Sequence, residues 1–401
     1  MRVLHLIPAL SGGGVLNVSI NLTKAFAKLG HELYVIGPRN KELMKYANMF
    51  IETKAPLDLV SDPFYAYAYT LRNVNTVKSL TKEEKVDIIL THGPLVVLCM
   101  YEGINIPCFS VVHGTYGNEV RWMRYHPLRG FDKLRYMLSI ALTYTHDMKL
   151  YSLATKKGLK LIAVSERTRQ ELIKNGTLGE NVFSILNGVD IELFRPINRE
   201  FARQYVEKKY GIRLDDFIIA HVGLGPIKGT HVLVKALAIL KKRVKFTALF
   251  AGRLGPKSYR EYIEKIVREL NLSKAVKMLG WVPYEDLSFI YNVADVIVVP
   301  SYSEGGPLTT PESLACGTPV IATNVGGNME YLKAVNMERN LIEIKKYDFS
   351  IELFSKIYDF YVNKYTYSRE NLAKTASHHF SWTKIAQKYI TTISKTLAKY
   401  H

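Results

Sequence analysis

The sequence predicts an α/β protein of two doubly wound domains, and three observations carry that expectation. Apolar runs of strand length recur along the chain, most of them followed by a polar or glycine-bearing loop and then by helical periodicity. The 401 residues exceed one ordinary core and suit two domains of about 150–200 residues each. The clearest unit, Val296 to Ala322, reads as buried strand (VIVVP), glycine loop, short helix and buried strand again (PVIA).

In chain order, Met1–Ala9 reads as a buried strand, followed by Ser11-Gly12-Gly13-Gly14 and an amphipathic helix to about Leu29, closed by Gly30. Glu32–Ile36 is a second strand. Between Arg39 and Lys85 the pattern blurs, and Tyr65, Tyr67 and Tyr69 fit either a helix or a partner-facing surface. Asp87–Leu90, Ile106–Val112, Leu159–Val164 and Val182–Leu186 continue the strands. The charged segment Arg195–Arg213 lacks strand signals and is expected to hold the linker. Phe217–Val222 then opens a second domain, with the loop Gly223–Gly229 and a helix over Thr230–Lys242. Phe246–Ala251, Val276–Leu279, Val296–Val299 and Val320–Ala322 complete its strands, and Asn324–Asn328 is another glycine loop. A last helix follows Phe380-Ser381-Trp382-Thr383, with Ile385, Tyr389, Ile390, Ile393 and Leu397 as its apolar stripe.

A hydrophobic content of 48% with 22% charged residues is that of a globular chain. No run approaches the ~20 apolar residues of a bilayer span. The apolar N-terminus runs into the periodic segment VLNVSINLTKAFAKLG, so it reads as a first strand and not a cleaved signal, and a cytoplasmic protein is expected. Cys99, Cys108 and Cys316 sit in apolar or strand-like surroundings without CxxC spacing, which favours core packing over a metal site or a disulfide. The 54 basic against 36 acidic residues give +18 and call for an anionic partner or surface. One third of that excess lies in Tyr116–Lys160, where nine Lys/Arg face three acids and Trp122, Met123, Tyr125, Leu128, Phe131, Tyr136 and Met137 are interleaved. The mixture suits an anionic membrane interface or single-stranded nucleic acid, and equally a solvated helical pair.

The polar candidates share one property. Gly12–Gly14, His113, Lys228, Glu304 and Gly326–Gly327 all follow the carboxyl ends of expected strands, where open α/β folds bind ligands. A ligand cleft between two such edges, one from each domain, is therefore expected. Thr310 is read as an N-cap with Pro311 at the first helical position, which leaves free amides for a phosphate. Glu304 and Glu312, eight residues apart, frame that seat, and carboxylates accept hydrogen bonds from sugar hydroxyls, so a nucleotide-sugar site is expected. The first glycine loop is not the dinucleotide fingerprint, because Asn17 holds the third glycine position, and the Lys228 loop lacks Walker A spacing. His92 and His113, each between a strand and a glycine, are site candidates against the alternative of satisfied surface histidines.

Glu304-Gly305-Gly306-Pro307, with Glu312 following and then Ala315-Cys316-Gly317-Thr318-Pro319-Val320, resembles the EX7E signature of the retaining glycosyltransferases of family 4. The likeness runs along nearly the whole chain: the Gly12–Gly14 loop, Ala163-Val164-Ser165-Glu166, Ile185-Leu186-Asn187-Gly188-Val189-Asp190 through Arg195-Pro196, Val282–Ser301 and Phe380-Ser381-Trp382 all resemble family segments in the right order. The resemblance implies the GT-B fold. Its Rossmann-like domains would be an acceptor-binding one over 1–198 and a nucleotide-sugar-binding one over 199–378, with a final helix, 379–401, returning to pack on the first. It also implies transfer of a sugar, with retention, from a nucleotide-diphosphate sugar to an acceptor hydroxyl, without metal or cofactor.

By that analogy Glu312 holds the ribose hydroxyls, and Glu304 with the backbone of Gly305, Gly306, Pro307 and Leu308 holds the donor sugar. His113 contacts the transferring sugar, Lys228 beside Gly223 the diphosphate, and Gly13 and Gly14 the acceptor side of that diphosphate. His113, Glu304 and Lys228 form the expected catalytic set. One departure stands out: the family usually has arginine after the glycine of this loop, whereas Gly223 is followed by Leu224, and Arg253 is the candidate replacement. The basic-aromatic stretch 116–160 favours a lipid-linked or membrane-associated glycan acceptor and a peripheral seat on the inner face of the cell membrane, with no nucleic acid. The alternatives are a non-catalytic sugar-nucleotide-binding partner, to which Leu224 lends weight, and a GT-B epimerase or phosphorylase, against which the second-domain signature speaks.

Overall fold

The computed structural model describes residues 1–10, 13–53, 64–215, 217–363 and 368–398, so Ser11 and Gly12 of the first glycine loop lie outside the described residues. Two wholly parallel sheets form the framework. The first contains β1 (Arg2–Leu6), β2 (Glu32–Gly37), β3 (Met49–Glu52), β4 (Ile88–His92), β5 (Cys108–Val112), β6 (Lys160–Ala163) and β7 (Val182–Ser184), in the order β3-β2-β1-β4-β5-β6-β7. The second contains β8 (Ile218–Val222), β9 (Thr247–Ala251), β10 (Val276–Gly280), β11 (Val296–Val299), β12 (Val320–Thr323) and β13 (Leu341–Ile342), in the order β10-β9-β8-β11-β12-β13. Helices separate the strands, and the central strands are buried along their length except for an end residue of β1 and of β8, as the continuous apolar runs require of parallel sheets covered on both faces. The first sheet reverses its winding between β1 and β4, and the second between β8 and β11. Loops leaving the carboxyl ends at these pairs diverge, and each opens a crevice.

The chain divides into two compact units. Met1–Gly117, Ser139–Gly188 and the segment from Trp382 onward make the first, and Asn118–Leu138 with Val189–Ser381 the second. The last helix, Trp382–Leu397, therefore belongs to the first unit, where the Tyr389 ring meets Phe26 edge-on at 6.2 Å. Asn118–Leu138 departs from the expected division, which left the whole basic-aromatic stretch in the first domain. Its rings explain the difference: Trp122 and Leu128 belong to the core of the second unit, and Trp122 packs 6.0 Å from Tyr302 and 6.1 Å from Tyr347.

Four further features differ from, or resolve, the sequence reading. The edge strands β3 and β13 were not anticipated, being short and lacking a buried apolar run. Arg199–Tyr210, expected as linker, is a helix. The Asn198 side chain caps its amino end by accepting from Phe201 N, and Gly211, at φ 61°, closes it. Tyr65 and Tyr69 lie on the buried face of the helix Tyr65–Glu83, where the Tyr69 hydroxyl donates to Ile36 O at 3.2 Å. Cys99 and Cys108 form a disulfide instead of packing as free core thiols, because the chain between them folds back and brings their Cα atoms within 6.3 Å. Cys316 is buried and free, as expected.

Candidate active site

The crevice of the second sheet gathers the acidic and cationic candidates. Lys228 lies in the loop after β8 and Glu304 in the loop after β11, neighbouring strands at the winding reversal. Lys228 Nζ donates to both carboxylate oxygens of Glu304 at 2.8 Å, and Ser301 Oγ donates to Glu304 Oε1 at 2.7 Å. Close approach of the loops depends on glycine. Gly229 adopts φ +68°, and a Cβ there would stand 2.0 Å from Pro300 O. Gly326 adopts φ +54°, and a Cβ there would stand 2.4 Å from Gly305 O and 2.5 Å from Glu304 O. Gly327 N instead donates to Gly305 O at 2.9 Å, tying this loop to the one that carries Glu304. We expect Gly326→Ala to push that loop away at a cost of roughly 1–3 kcal/mol. A lowered thermal midpoint together with weakened donor binding is the outcome to look for, and unchanged values for both would refute the role of this contact.

The helix after Glu304 spans Thr309–Ala315, with Leu308 and not Thr310 at its N-cap position. Thr310 Oγ1 is drawn inward to donate to Asn328 Oδ1 at 2.7 Å, which corrects the expected cap and moves Pro311 past the first helical position. Glu312 is buried on this helix. Tyr284 Oη donates to its Oε1 and Tyr291 Oη to its Oε2, each at 2.8 Å. Burial pushes its carboxyl up to about 7, against the pull of the two hydroxyls. Glu312 thus makes no contact with the Lys228–Glu304 pair and has an aromatic cradle of its own.

The described part of the first glycine loop begins at Gly13, at φ +97°, with Gly14 opening the helix Gly14–Lys28. A Cβ on Gly13 would meet nothing within 4 Å, so the backbone there is open to close approach. His113 follows β5 and is partly exposed. Its Nε2 lies 2.8 Å from His92 Nδ1, and His92 Nε2 lies 2.7 Å from His5 Nε2.

Two sequence candidates do not join the ion pair. Gly223, at φ +81°, donates its N–H to Ala251 O at 2.9 Å. Leu224 beside it turns into the core of the second unit, where the family pattern has arginine. Arg253, after β9, is exposed and makes no ion pair among the described residues. Sequence reasoning missed Glu119. Its carboxylate accepts from Tyr136 Oη at 3.0 Å and lies within electrostatic reach of both Lys228 and Glu304, and burial pushes it up to about 7. The only signal was an acid set in a basic stretch. Among the described residues no group of three or more His, Cys, Asp or Glu side chains could hold a metal ion, and no helix is long and apolar enough to cross a membrane.

Comparison with known proteins meets this geometry. Residues 12–193 match the family described as Glycosyltransferase Family 4, and residues 203–376 the family described as Glycosyl transferases group 1. The chain is 32% identical over 169 residues to the D-inositol 3-phosphate glycosyltransferase of Corynebacterium glutamicum (strain R), covering 41% of this chain and 40% of that protein. The chain therefore matches about two fifths of the length of that curated relative. The fold is similar to that of sucrose-phosphate synthase from Thermosynechococcus elongatus, with a TM-score of 0.77, 20% identity and 99% of each chain covered. It is similar also to that of Anabaena Alr3699/HepE in complex with UDP, with a TM-score of 0.72, 21% identity, and 98% of this chain and 100% of that one covered.

Proposed function

We propose, from the premise that this chain belongs to glycosyltransferase family 4, that it moves a sugar from a nucleotide-diphosphate sugar to an acceptor hydroxyl, with retention at the anomeric carbon. The two parallel-sheet, Rossmann-like units are those of the GT-B fold. One observation carries the reading: Lys228 and Glu304 meet at the winding reversal of the second sheet, a cation and a hydroxyl acceptor at the place where such sheets bind nucleotides. Lys228 takes the diphosphate and Glu304 the hydroxyls of the donor sugar. Glu312, with Tyr284 and Tyr291 beside it, takes the ribose. Transfer breaks the bond from the anomeric carbon to the diphosphate and forms the bond to the acceptor oxygen on the same face. The acceptor proton passes to the departing diphosphate, whose charge Lys228 stabilises. A thermal-shift screen over UDP-, GDP- and ADP-sugars tests donor binding. Stabilisation by one nucleotide class supports the reading, and no response to any of them counts against it. Binding without turnover would favour a non-catalytic sugar-nucleotide-binding protein, the reading to which Leu224 lends weight.

The acceptor side of the proposal rests on the helix Gly130–Lys156. Phe131, Leu134, Leu138 and Leu142 recur at helical spacing, with 77%, 55%, 55% and 60% of their surfaces exposed. Arg124, Arg129, Lys133 and Arg135 flank that stripe, on a chain of net charge +18. An exposed apolar face bordered by cations matches the surface of an anionic bilayer, which makes a membrane-associated acceptor the fitting one. The wild type is expected to co-sediment with phosphatidylglycerol vesicles and not with neutral phosphatidylcholine ones, and Leu134→Ser with Leu138→Ser to abolish that binding. Equal sedimentation with both vesicle types, or binding unchanged by the double substitution, would overturn the membrane assignment.

A further inference from the structure

Three histidines line up behind the carboxyl edge of the first sheet, on β1, β4 and the loop after β5. His5 Nδ1 lies 2.9 Å from Thr23 Oγ1, and its Nε2 lies 2.7 Å from His92 Nε2. His92 Nε2 also lies 3.0 Å from Ser19 Oγ, and His92 Nδ1 lies 2.8 Å from His113 Nε2. His5, His92, Ser19 and Thr23 are fully buried, and His113 is the only ring of the line with exposed surface.

The two hydroxyls give this line a direction. Thr23 Oγ1 is 2.9 Å from Ser19 O, and Ser19 Oγ is 2.9 Å from Val15 O. A carbonyl cannot donate, so each hydroxyl spends its single proton there and offers only lone pairs to the imidazoles. His5 must then carry its proton on Nδ1, donating to Thr23, which leaves Nε2 bare. His92 must carry its proton on Nε2, shared between His5 Nε2 and Ser19 Oγ, which leaves Nδ1 bare. His113 must donate from Nε2 to that bare nitrogen. Its own Nδ1 is the open end of the line and has no partner among the described residues. The charges acting on His92 are those of the other two rings, and burial alone governs His5 and His113. Burial lowers His113 to about 4, so the line stays neutral near pH 7.

We propose that Thr23, Ser19, His5 and His92 are positioning residues that lock His113 as the Nε2–H tautomer and present its Nδ1 lone pair as acceptor for a hydroxyl of the transferred sugar. The identity of that hydroxyl-bearing ligand rests on the glycosyltransferase reading, whereas the tautomer does not. A neutral His113 of this polarity selects donors that carry a hydroxyl at the contacted carbon and discriminates against the corresponding deoxy sugar.

The test reads the tautomer directly. Long-range 1H–15N correlation on the full chain labelled with 15N-histidine, at about pH 7, distinguishes protonated from bare ring nitrogens without any substrate. The expected pattern is Nδ1–H on His5 and Nε2–H on both His92 and His113. Thr23→Val removes the terminal acceptor and is expected to give His113 a mixture of tautomers and to lower kcat/KM for donor cleavage roughly tenfold, while Thr23→Ser keeps the wild-type pattern. Nδ1–H on His113 in the wild type, or a Thr23→Val variant with unchanged tautomer and turnover, would overturn the proposal. The expected tautomer in a protein that cleaves no nucleotide sugar would overturn the sugar-hydroxyl contact and the glycosyltransferase reading together, leaving the lock itself standing.

Discussion

Lys228→Met should lower kcat for donor cleavage by about 10²–10³-fold, the usual cost of removing one preorganised group that meets developing charge. Lys228 has one task in the structure and a second in the proposed function. Without substrate it satisfies Glu304, whose side chain is largely buried and whose other partner is Ser301. With substrate, the proposed function gives it the diphosphate. Methionine keeps the length of the side chain but leaves a largely buried carboxylate without its counter-ion. Glu304→Gln should cost a similar factor. The Lys228→Met, Glu304→Gln double variant should cost less than the product of the singles, because each single change already disables the pair. Steady-state kinetics of the four proteins form the check, and strictly multiplicative losses would show that the two residues act separately. Arg253→Ala belongs in the same series. Weakened donor affinity in that variant would make it the replacement for the arginine that Leu224 displaces, and an unchanged value would leave Lys228 as the single cation.

Acid should unfold this protein before it reaches the range in which ordinary carboxylates titrate. His5 and His231 are lowered to about 3 and His126 and His221 to about 4 by burial, with His92 well below its usual value. An imidazole whose native pKa lies below its unfolded 6.5 binds protons preferentially in the unfolded chain. Its penalty is absent above about pH 6.5 and grows as pH falls, to about 2 kcal/mol for each ring at pH 5. Glu312 and Glu119 act in the opposite sense. Both are raised to about 7, so they bind protons preferentially in the native state as pH falls. Each returns about 2 kcal/mol over the same interval. With His113, also lowered to about 4, six histidines outweigh two carboxyls, and the net loss is several kcal/mol, a large part of the roughly 5–15 kcal/mol of ordinary domain stability. Urea midpoints measured at pH 7.5, 6 and 5 should fall monotonically, and midpoints that stay level or rise toward pH 5 would contradict the burial of these rings.

Much of the framework was legible because parallel strands covered on both faces must be apolar throughout. VIVV at Val296–Val299 reads as the same strand in the sequence and in the structure. The edge strands β3 and β13 escaped because an edge needs no such run, and Arg199–Tyr210 escaped because only Ala202 and Val206 of that helix are buried. Lys228 and Glu304 were legible as loop residues just past strand ends, since position along the chain locates them at the sheet edge. Their mutual contact depends on β8 and β11 being neighbours, which no local pattern reports. The same limit hid Tyr284 and Tyr291 on Glu312, the Cys99–Cys108 bond, and His5, which sits in a run that reads simply as buried strand. Glu119 was obscured by its own neighbourhood. In a stretch of arginines and lysines an acid reads as charge balance, and it comes within reach of Lys228 through the packing of its segment on the second unit, Trp122 against Tyr302 and Tyr347 included.

The retaining transfer proposed for this chain makes one direct demand on the products. Incubation with the donor that stabilises it, in the absence of acceptor, should release nucleoside diphosphate and free sugar slowly, with water taking the place of the acceptor hydroxyl. Proton NMR taken before mutarotation should show the released sugar in the same anomeric configuration as the donor. Release of the opposite anomer, or no cleavage of any bound nucleotide sugar, would contradict retaining transfer at the Lys228–Glu304 site.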